Sequence, residues 1–287
     1  TFDCYSTFSI TLNINDASSD VILHGGAFKT ICYNGGGDRA NAEILTLLAE
    51  NRMFMKSPNP EPIDGSKTLL KDGFVTPVIV APHEDHSYDS TTGKCTICGK
   101  RCGHTDVDSK TGVCPTCKYQ LTAGISGVGT AKYFDNIDDA FVAALSAEHS
   151  GCTLTLYKDC ELSQNIVIGN ATLTVDVNGH SISPEIRGID VNDGGVLYLK
   201  NSGENGSIGL EMAVNKGGTL INGTADDSSS AVSLFAVTAD AAECVEFYGG
   251  SCTYLTIKNG TSGIALYGGY YDIICGSLTD NTLSLIH

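Results

Sequence analysis

Tryptophan is absent from the 287 residues, methionine occurs 3 times and proline 7 times. Charged residues make up only 17% of the chain, below the roughly one quarter usual in globular proteins. No run of eighteen apolar residues exists, so no segment reads as a membrane-spanning helix. Basic residues are scarce, with 17 Lys and Arg against 33 Asp and Glu and a formal charge of −16. That balance argues against nucleic acid or an anionic membrane as a partner. An initiator Met and a basic, then apolar leader are also missing. Thr1 opens inside a strand-like pattern and the chain stops at Ile286 and His287, so both ends read as cut from a longer protein.

Glycine, by contrast, is abundant, with 33 residues, and Val, Ile, Thr and Asn recur throughout. This composition fits short strands joined by tight turns. Five of the 12 cysteines fall between His83 and Tyr119. This stretch is a doublet. His86 is followed by an acidic turn, Thr92-Gly93, and Cys95-x2-Cys98. His104 is followed by an acidic turn, Thr111-Gly112, and Cys114-x2-Cys117.

A Cys-x2-Cys knuckle lets two thiolates converge on one ion, and zinc takes four such ligands tetrahedrally. Read in order, His83, His86, Cys95 and Cys98 serve one ion, and Cys102, His104, Cys114 and Cys117 a second. A single ribbon of Cys95, Cys98, Cys114 and Cys117 also satisfies the spacing, but it leaves both histidine sets and Cys102 idle. A pair of disulfides and a thioredoxin-type redox pair are the remaining readings, the latter without the helix or Rossmann-like strand pattern that would support it. The internal repeat favours two closed, structural zinc sites. Cys4, Cys32, Cys152, Cys160, Cys244, Cys252 and Cys275 lie mostly in apolar strand contexts and read as small buried hydrophobes.

Strand patterns precede the doublet at 7–14, 21–32 and 74–80, with a short amphipathic helix expected over 41–52. After it, 120–130 reads as a Gly/Ser-rich connector. Asn136 reads as the cap of a helix carrying Ile137, Ala140, Phe141, Ala144 and Leu145. Strands are then expected at 153–157, 165–168, 172–177, 188–191, 196–199, 210–214, 219–221, 232–237, 244–248, 254–257, 264–266 and 271–274.

Two repeats fix the expected architecture. Val191-Asn-Asp-Gly-Gly recurs as Val214-Asn-Lys-Gly-Gly, 23 residues on, the mark of a β-helix whose turns stack. A longer repeat, offset by 243, relates Leu12, Ile14, Leu23, Gly25, Gly26, Phe28, Ile31 and Cys32 to Leu255, Ile257, Leu266, Gly268, Gly269, Tyr271, Ile274 and Cys275. The expected fold class is thus all-β: parallel β-helix modules with short capping helices, joined by a small zinc-knuckle or ribbon segment. Residues 1–81 form the C-terminal part of one module and 82–119 the zinc-binding linker. Residues 120–287 form the cap and body of a second, truncated module.

Several motifs carry a resemblance: Tyr133-x3-Ile137-x2-Ala140-Phe141, Leu156-Tyr-Lys-Asp159, Thr174-Val-Asp-Val-Asn-Gly-His-Ser-Ile182 and Leu47-Leu-Ala-Glu-Asn-Arg52. The Gly-Gly-x-aromatic-x2-Ile rungs beginning at Gly25 and Gly268 belong with them. Nearly the whole chain resembles the large modular surface proteins of gut Gram-positive bacteria, built from right-handed, pectate-lyase-like β-helices and Cys/His linkers. The resemblance implies an extracellular, wall-attached location and a repeated stalk or adhesive body.

Parallel β-helices also host polysaccharide lyases and glycosidases, which work with paired carboxylates or a base and cations. Asp176, Asp190, Asp193, Glu204 and Glu211 are the acidic candidates. Asp176 alternates with Val175 and Val177 and is expected to face solvent, and the others read as strand and turn residues. Arg187 and His180 are the isolated basic candidates. The expected function is a non-enzymatic surface module that binds a carbohydrate or host glycoprotein, with a polysaccharide lyase or glycoside hydrolase as the alternative. Tyr267, Tyr270 and Tyr271, near Tyr248 and Tyr254, are the expected stacking platform for sugars.

Overall fold

The computed structural model describes residues 10–14, 22–33, 48–49, 52–56, 78–83, 85–96, 101–104, 106–184, 188–259, 261, 263–267, 269–275 and 283–285. The chain divides into two compact units, Thr1–Asp106 with Cys114–Tyr119, and Val107–Val113 with Gln120–His287.

The first unit contains β1 (Ile10–Ile14), β2 (Gly26–Tyr33), β3 (Arg52–Lys56) and β4 (Val78–Pro82). They form one sheet in the order β1-β2-β4-β3. β1 and β2 run parallel, and β4 runs antiparallel to both β2 and β3. Phe28, Phe54, Val78 and Val80 are buried there. Most of the helix expected over 41–52 lies outside the described residues, but its last residue, Arg52, opens a strand.

The second unit is a parallel β-solenoid of about five turns. Its strands are short because each side of a turn is only one rung edge long. β5 (Ala123–Ser126), β6 (Lys132–Phe134), β7 (Thr153–Leu156), β10 (Thr172–Asp176) and β13 (Val196–Lys200) begin one sheet. β15 (Thr219–Asn222), β17 (Cys244–Phe247), β19 (Ile264–Leu266) and β21 (Leu283–Leu285) continue it. The second sheet holds β8 (Cys160–Leu162), β9 (Ile166–Ile168), β11 (Ser181–Pro184) and β12 (Gly188–Val191). It continues through β14 (Ser207–Val214), β16 (Ser233–Asp240), β18 (Ser251–Lys258) and β20 (Tyr270–Cys275).

Alternation sends one face of every strand inward, and parallel registration stacks like on like. Leu173, Leu197, Leu220, Val245 and Ile264 form one buried column across the first sheet. Ile166, Ile189, Met212, Val237 and Leu255 form another across the second. Burying each such side chain contributes about 1.5–3 kcal/mol, and only stacking supplies that burial. The 23-residue sequence repeat is this register: Val191 pairs with Val214, and Asn215 donates to Asn192 Oδ1 at 2.8 Å. The 243-residue repeat likewise places β1 beside β2 as β18 beside β20, each parallel pair with one shift of register.

α1 (Ile137–Ala144) covers the end of the solenoid with Ile137, Ala140, Phe141 and Ala144 buried. Asn136 caps it by accepting from the Asp139 amide at 2.7 Å. The stretch expected as a connector, 120–130, instead contains β5. Its Ala123 and Ile125 are buried, and it pairs antiparallel with β7 on one side and β6 on the other. Glycine and serine suggested a linker, but the three small or apolar residues Ala123, Gly124 and Ile125 form the closing strand.

Candidate metal centres and an outer groove

The doubled sequence produces a doubled turn. Asp89 Oδ1 accepts from the amides of Thr91 and Thr92 at 2.9 and 2.8 Å, and Asp108 Oδ1 accepts from that of Lys110 at 2.8 Å. Those bonds to the ionised form hold both carboxylates below the usual range, with the Thr92 and Lys110 amides the largest causes. Gly93 and Gly112 follow at φ +65° and +67°, the left-handed conformation that glycine adopts at least cost. Each then donates back to its aspartate carbonyl. The turns lead directly into Cys95 and Cys114.

Cys102, His104, Cys114 and Cys117 bring their ligand atoms within 4.8 Å of one another. Cys102 Sγ lies 3.7 Å from Cys114 Sγ, and His104 Nδ1 lies 3.5 Å from Cys117 Sγ. Two thiolates bound tetrahedrally to zinc at about 2.3 Å sit about 3.8 Å apart, and a thiolate and an imidazole about 3.6 Å apart. The pairs observed have that spacing. The thiols are not bonded to one another; a disulfide would bring the sulfurs to about 2 Å. All three cysteines are buried. Burial acts to raise the Cys114 thiol, yet hydrogen bonds from the Cys117 amide, His104 and the Thr116 amide bring it down to about 6. Burial pushes Cys102 up and Cys117 up to about 12. His104 Nε2 is buried without a hydrogen-bond partner. Three buried sulfurs and a strained ligand turn, with His104 at φ 47°, fit a divalent soft-ligand ion.

His83, His86 and Cys95 form a second cluster within the same distance limit. His83 Nε2 is 3.3 Å from Cys95 Sγ, and the two imidazoles meet edge-on at 4.4 Å between centroids. Cys98, the expected fourth ligand, lies outside the described residues. The grouping separates Cys95 from Cys114 and Cys117, as two sites require and a single ribbon does not.

Within the stretch between His104 and Cys114, Val107–Val113 belong to the second unit. There Tyr157 donates to Ser109 O at 3.1 Å, and Gln120 Nε2 donates to Tyr157 O at 2.8 Å and to Thr111 O at 3.2 Å. Burial pushes the Tyr157 phenol up to about 12, keeping it a donor.

Of the acidic candidates, Asp176 is only 5% exposed, against the solvent-facing position expected. Alternation keeps it off the core row, but the next rung's turn folds over it. Its Oδ1 accepts from Asn178 N, Ser202 N and Ser202 Oγ, and Lys200 Nζ lies 3.6 Å from Oδ2. Asp193 and Glu204 are exposed turn residues. His180 Nδ1 sits 3.7 Å from Asp159 Oδ1 in a turn. Arg187 lies outside the described residues.

Asp190 and Glu211 come together on the outer face of the second sheet, where a groove of about 760 Å³ crosses β12, β14, β16 and β18. Two side-chain rows build it. Gly188, Glu211, Ala236 and Tyr254 stack in one, and Asp190, Ala213, Thr238 and Thr256 in the other. Phe235 meets Tyr254 edge-to-face at 5.5 Å. Residue-by-residue reading missed this groove. Its signal was the recurrence of Gly or Ala at outward positions of three adjacent strands, Gly188, Gly209 with Ala213, and Ala236.

The expected tyrosine platform is divided between two environments. Tyr267 stacks flat on Tyr248 at 4.4 Å, and Tyr270 is 87% exposed. Tyr271 is half-buried against Phe247, and its hydroxyl donates to Gly249 O.

Comparison with protein-family models, with curated proteins and with solved structures returned no match.

Proposed function

We propose that the chain is a non-enzymatic module of an extracellular, wall-attached bacterial surface protein, a stalk or adhesin body whose Cys/His linker folds around structural zinc. The observation that carries this reading is the quartet Cys102, His104, Cys114 and Cys117. Four protein ligands leave no coordination position for substrate or water, the mark of a structural rather than a catalytic site. The solenoid beside it in sequence is a self-stacking repeat suited to multiplication along a stalk, and many copies would turn weak contacts into avidity. An acidic chain of −16 also disfavours the polyanions that lyases cleave.

The test is metal analysis of the purified chain together with a turnover screen. Two zinc ions per chain are expected, with no products from pectin, alginate or glycosaminoglycans. A metal-free chain with oxidised cysteines would remove the structural-zinc reading, and unsaturated oligosaccharides would remove the non-enzymatic one.

A second reading, a glycoside hydrolase of the pectate-lyase-like β-helix type, has one observation in its favour. Asp190 and Glu211 line the same groove from adjacent rungs. One rung and two residues of offset separate their backbones by roughly 8 Å, so of the two hydrolytic geometries the wider, inverting one is the one to test.

A further inference from the structure

We infer that the groove across β12, β14, β16 and β18 is a binding site for a neutral, hydroxyl-rich glycan chain laid along the solenoid axis. The inference deepens the reading of the chain as a non-enzymatic binding module and rests on it.

Three features of the groove point to such an occupant. Its volume, about 760 Å³, lies within the roughly 300–1,000 Å³ of small-ligand sites. Its floor is built from residues that leave space, namely Gly188, Gly209, Ala213 and Ala236. A row of small residues alone is only a shallow surface, but here aromatic and acidic side chains rise around it.

Phe235 is 44% exposed and Tyr254 45% exposed. They hold each other edge-to-face at 5.5 Å, a geometry favoured by ring quadrupoles. Two large aromatic side chains at this exposure on an outer sheet face lose little by being covered, and the C–H face of a pyranose ring covers such a surface well.

The polar groups have the matching chemistry. Asp190 and Glu211 are acceptors, Thr238 and Thr256 can donate or accept, and Asn165 Oδ1 already accepts from the Gly188 amide at 3.2 Å. Among the described residues neither Asp190 nor Glu211 has a hydrogen-bond or ion-pair partner, and no Lys, Arg or His lines the groove. Sugar hydroxyls are donors that two free carboxylates can accept from. A uronate chain would instead place carboxylate against carboxylate. The rungs repeat at about 4.8 Å, so contacts recur along the axis, which suits a polymer of repeating rings better than a single small molecule.

The experiment titrates the whole chain with cello-, xylo-, manno- and galacto-oligosaccharides, with oligogalacturonate and with oligolysine, by calorimetry and with reducing-end assays on the same samples. Binding of at least one neutral oligosaccharide is expected, weakened at least tenfold in Tyr254→Ala and several-fold in Glu211→Gln, with Tyr198→Ala unchanged and all variants melting like the parent. Absence of neutral-glycan binding, or a preference for oligogalacturonate or oligolysine, would overturn the inference. So would binding lost in Tyr270→Ala but kept in Tyr254→Ala, which would place the ligand on the tyrosine cluster. Cleavage of a neutral oligosaccharide that depends on Tyr254 would uphold the groove and remove the non-enzymatic reading, so the two fail separately.

Discussion

Asp176 on one rung accepts hydrogen bonds from both the amide and the hydroxyl of Ser202 on the next, at 2.9 and 3.0 Å. The same oxygen accepts from Asn178 N at 3.0 Å. This carboxylate therefore ties two successive turns of the solenoid at their corner. Replacing it by alanine leaves two amides without their acceptor under cover, each costing about 1–3 kcal/mol. Asp176→Ala should lower stability by about 2–4 kcal/mol, seen as a drop in urea midpoint. Asp176→Asn, which keeps an acceptor oxygen, should lose less. Equal losses for both would mean that charge, with Lys200 as partner, outweighs the hydrogen bonds.

The Gly-Gly pairs of the 23-residue repeat should be intolerant of side chains for a steric reason. A methyl at Gly195 would fall 2.2 Å from Ile168 O, and one at Gly218 2.4 Å from Val191 O. Both obstacles are backbone, so rungs must part. Gly195→Ala and Gly218→Ala are each expected to cost at least the 1–3 kcal/mol typical of overpacking. Gly129→Ala, with open space around it, should cost only the strain of a left-handed alanine, about 1–2 kcal/mol. Thermal unfolding of the three variants measures the difference.

Most of the solenoid strands were legible because each is a short alternating run whose inward members recur at the same place in the next turn; β8 and β11, short and polar, were not among the expected strands. Leu173, Leu197 and Leu220 show this directly in the sequence and in register. The clustering of Cys102, His104, Cys114 and Cys117 was legible for a related reason, since Cys-x2-Cys and its preceding turn were written twice. Asp176 was not. Alternation places a side chain on a face, but it carries no information about a later turn, here Ser202, folding over that face. β5 was hidden by its composition, because Ala123, Gly124 and Ile125 take their strand conformation from pairing with β6 and β7. The groove emerges only when four rungs are aligned, since no single strand contains both Asp190 and Glu211.

Within the second unit, the loop 107–113 should depend on Tyr157. A methyl at Gly112 would lie 2.3 Å from the Tyr157 ring, and φ there is +67°. At Gly93, the equivalent turn, the nearest atoms are 3.2–3.4 Å away. Both alanine variants carry the left-handed strain, but Gly112→Ala adds displacement of a buried ring. It should be the more destabilising by about 1–3 kcal/mol. Tyr157→Phe, which removes only the bond to Ser109 O, should cost about 1 kcal/mol. Protection of the amides in 107–113 from hydrogen exchange is the direct readout, and it should fall most in Gly112→Ala.

The last prediction separates the two metal clusters. Because Cys114 groups with Cys102, His104 and Cys117 and not with Cys95, each cluster should empty alone. Cys102→Ser should lower zinc from two ions per chain to one, and His83→Ala should do the same through the other site. The double variant should bind none. A single-ribbon site would behave differently, since neither Cys102 nor His83 belongs to it and both variants would keep their full metal content. Metal binding at such a site is folding free energy, on the order of 10 kcal/mol for small zinc modules, whereas the solenoid rests on its apolar columns. Chelation should therefore abolish the ordered amide signals of the Cys/His segment while the far-ultraviolet β signal persists. Collapse of that signal on chelation would show that the solenoid, too, depends on the metal.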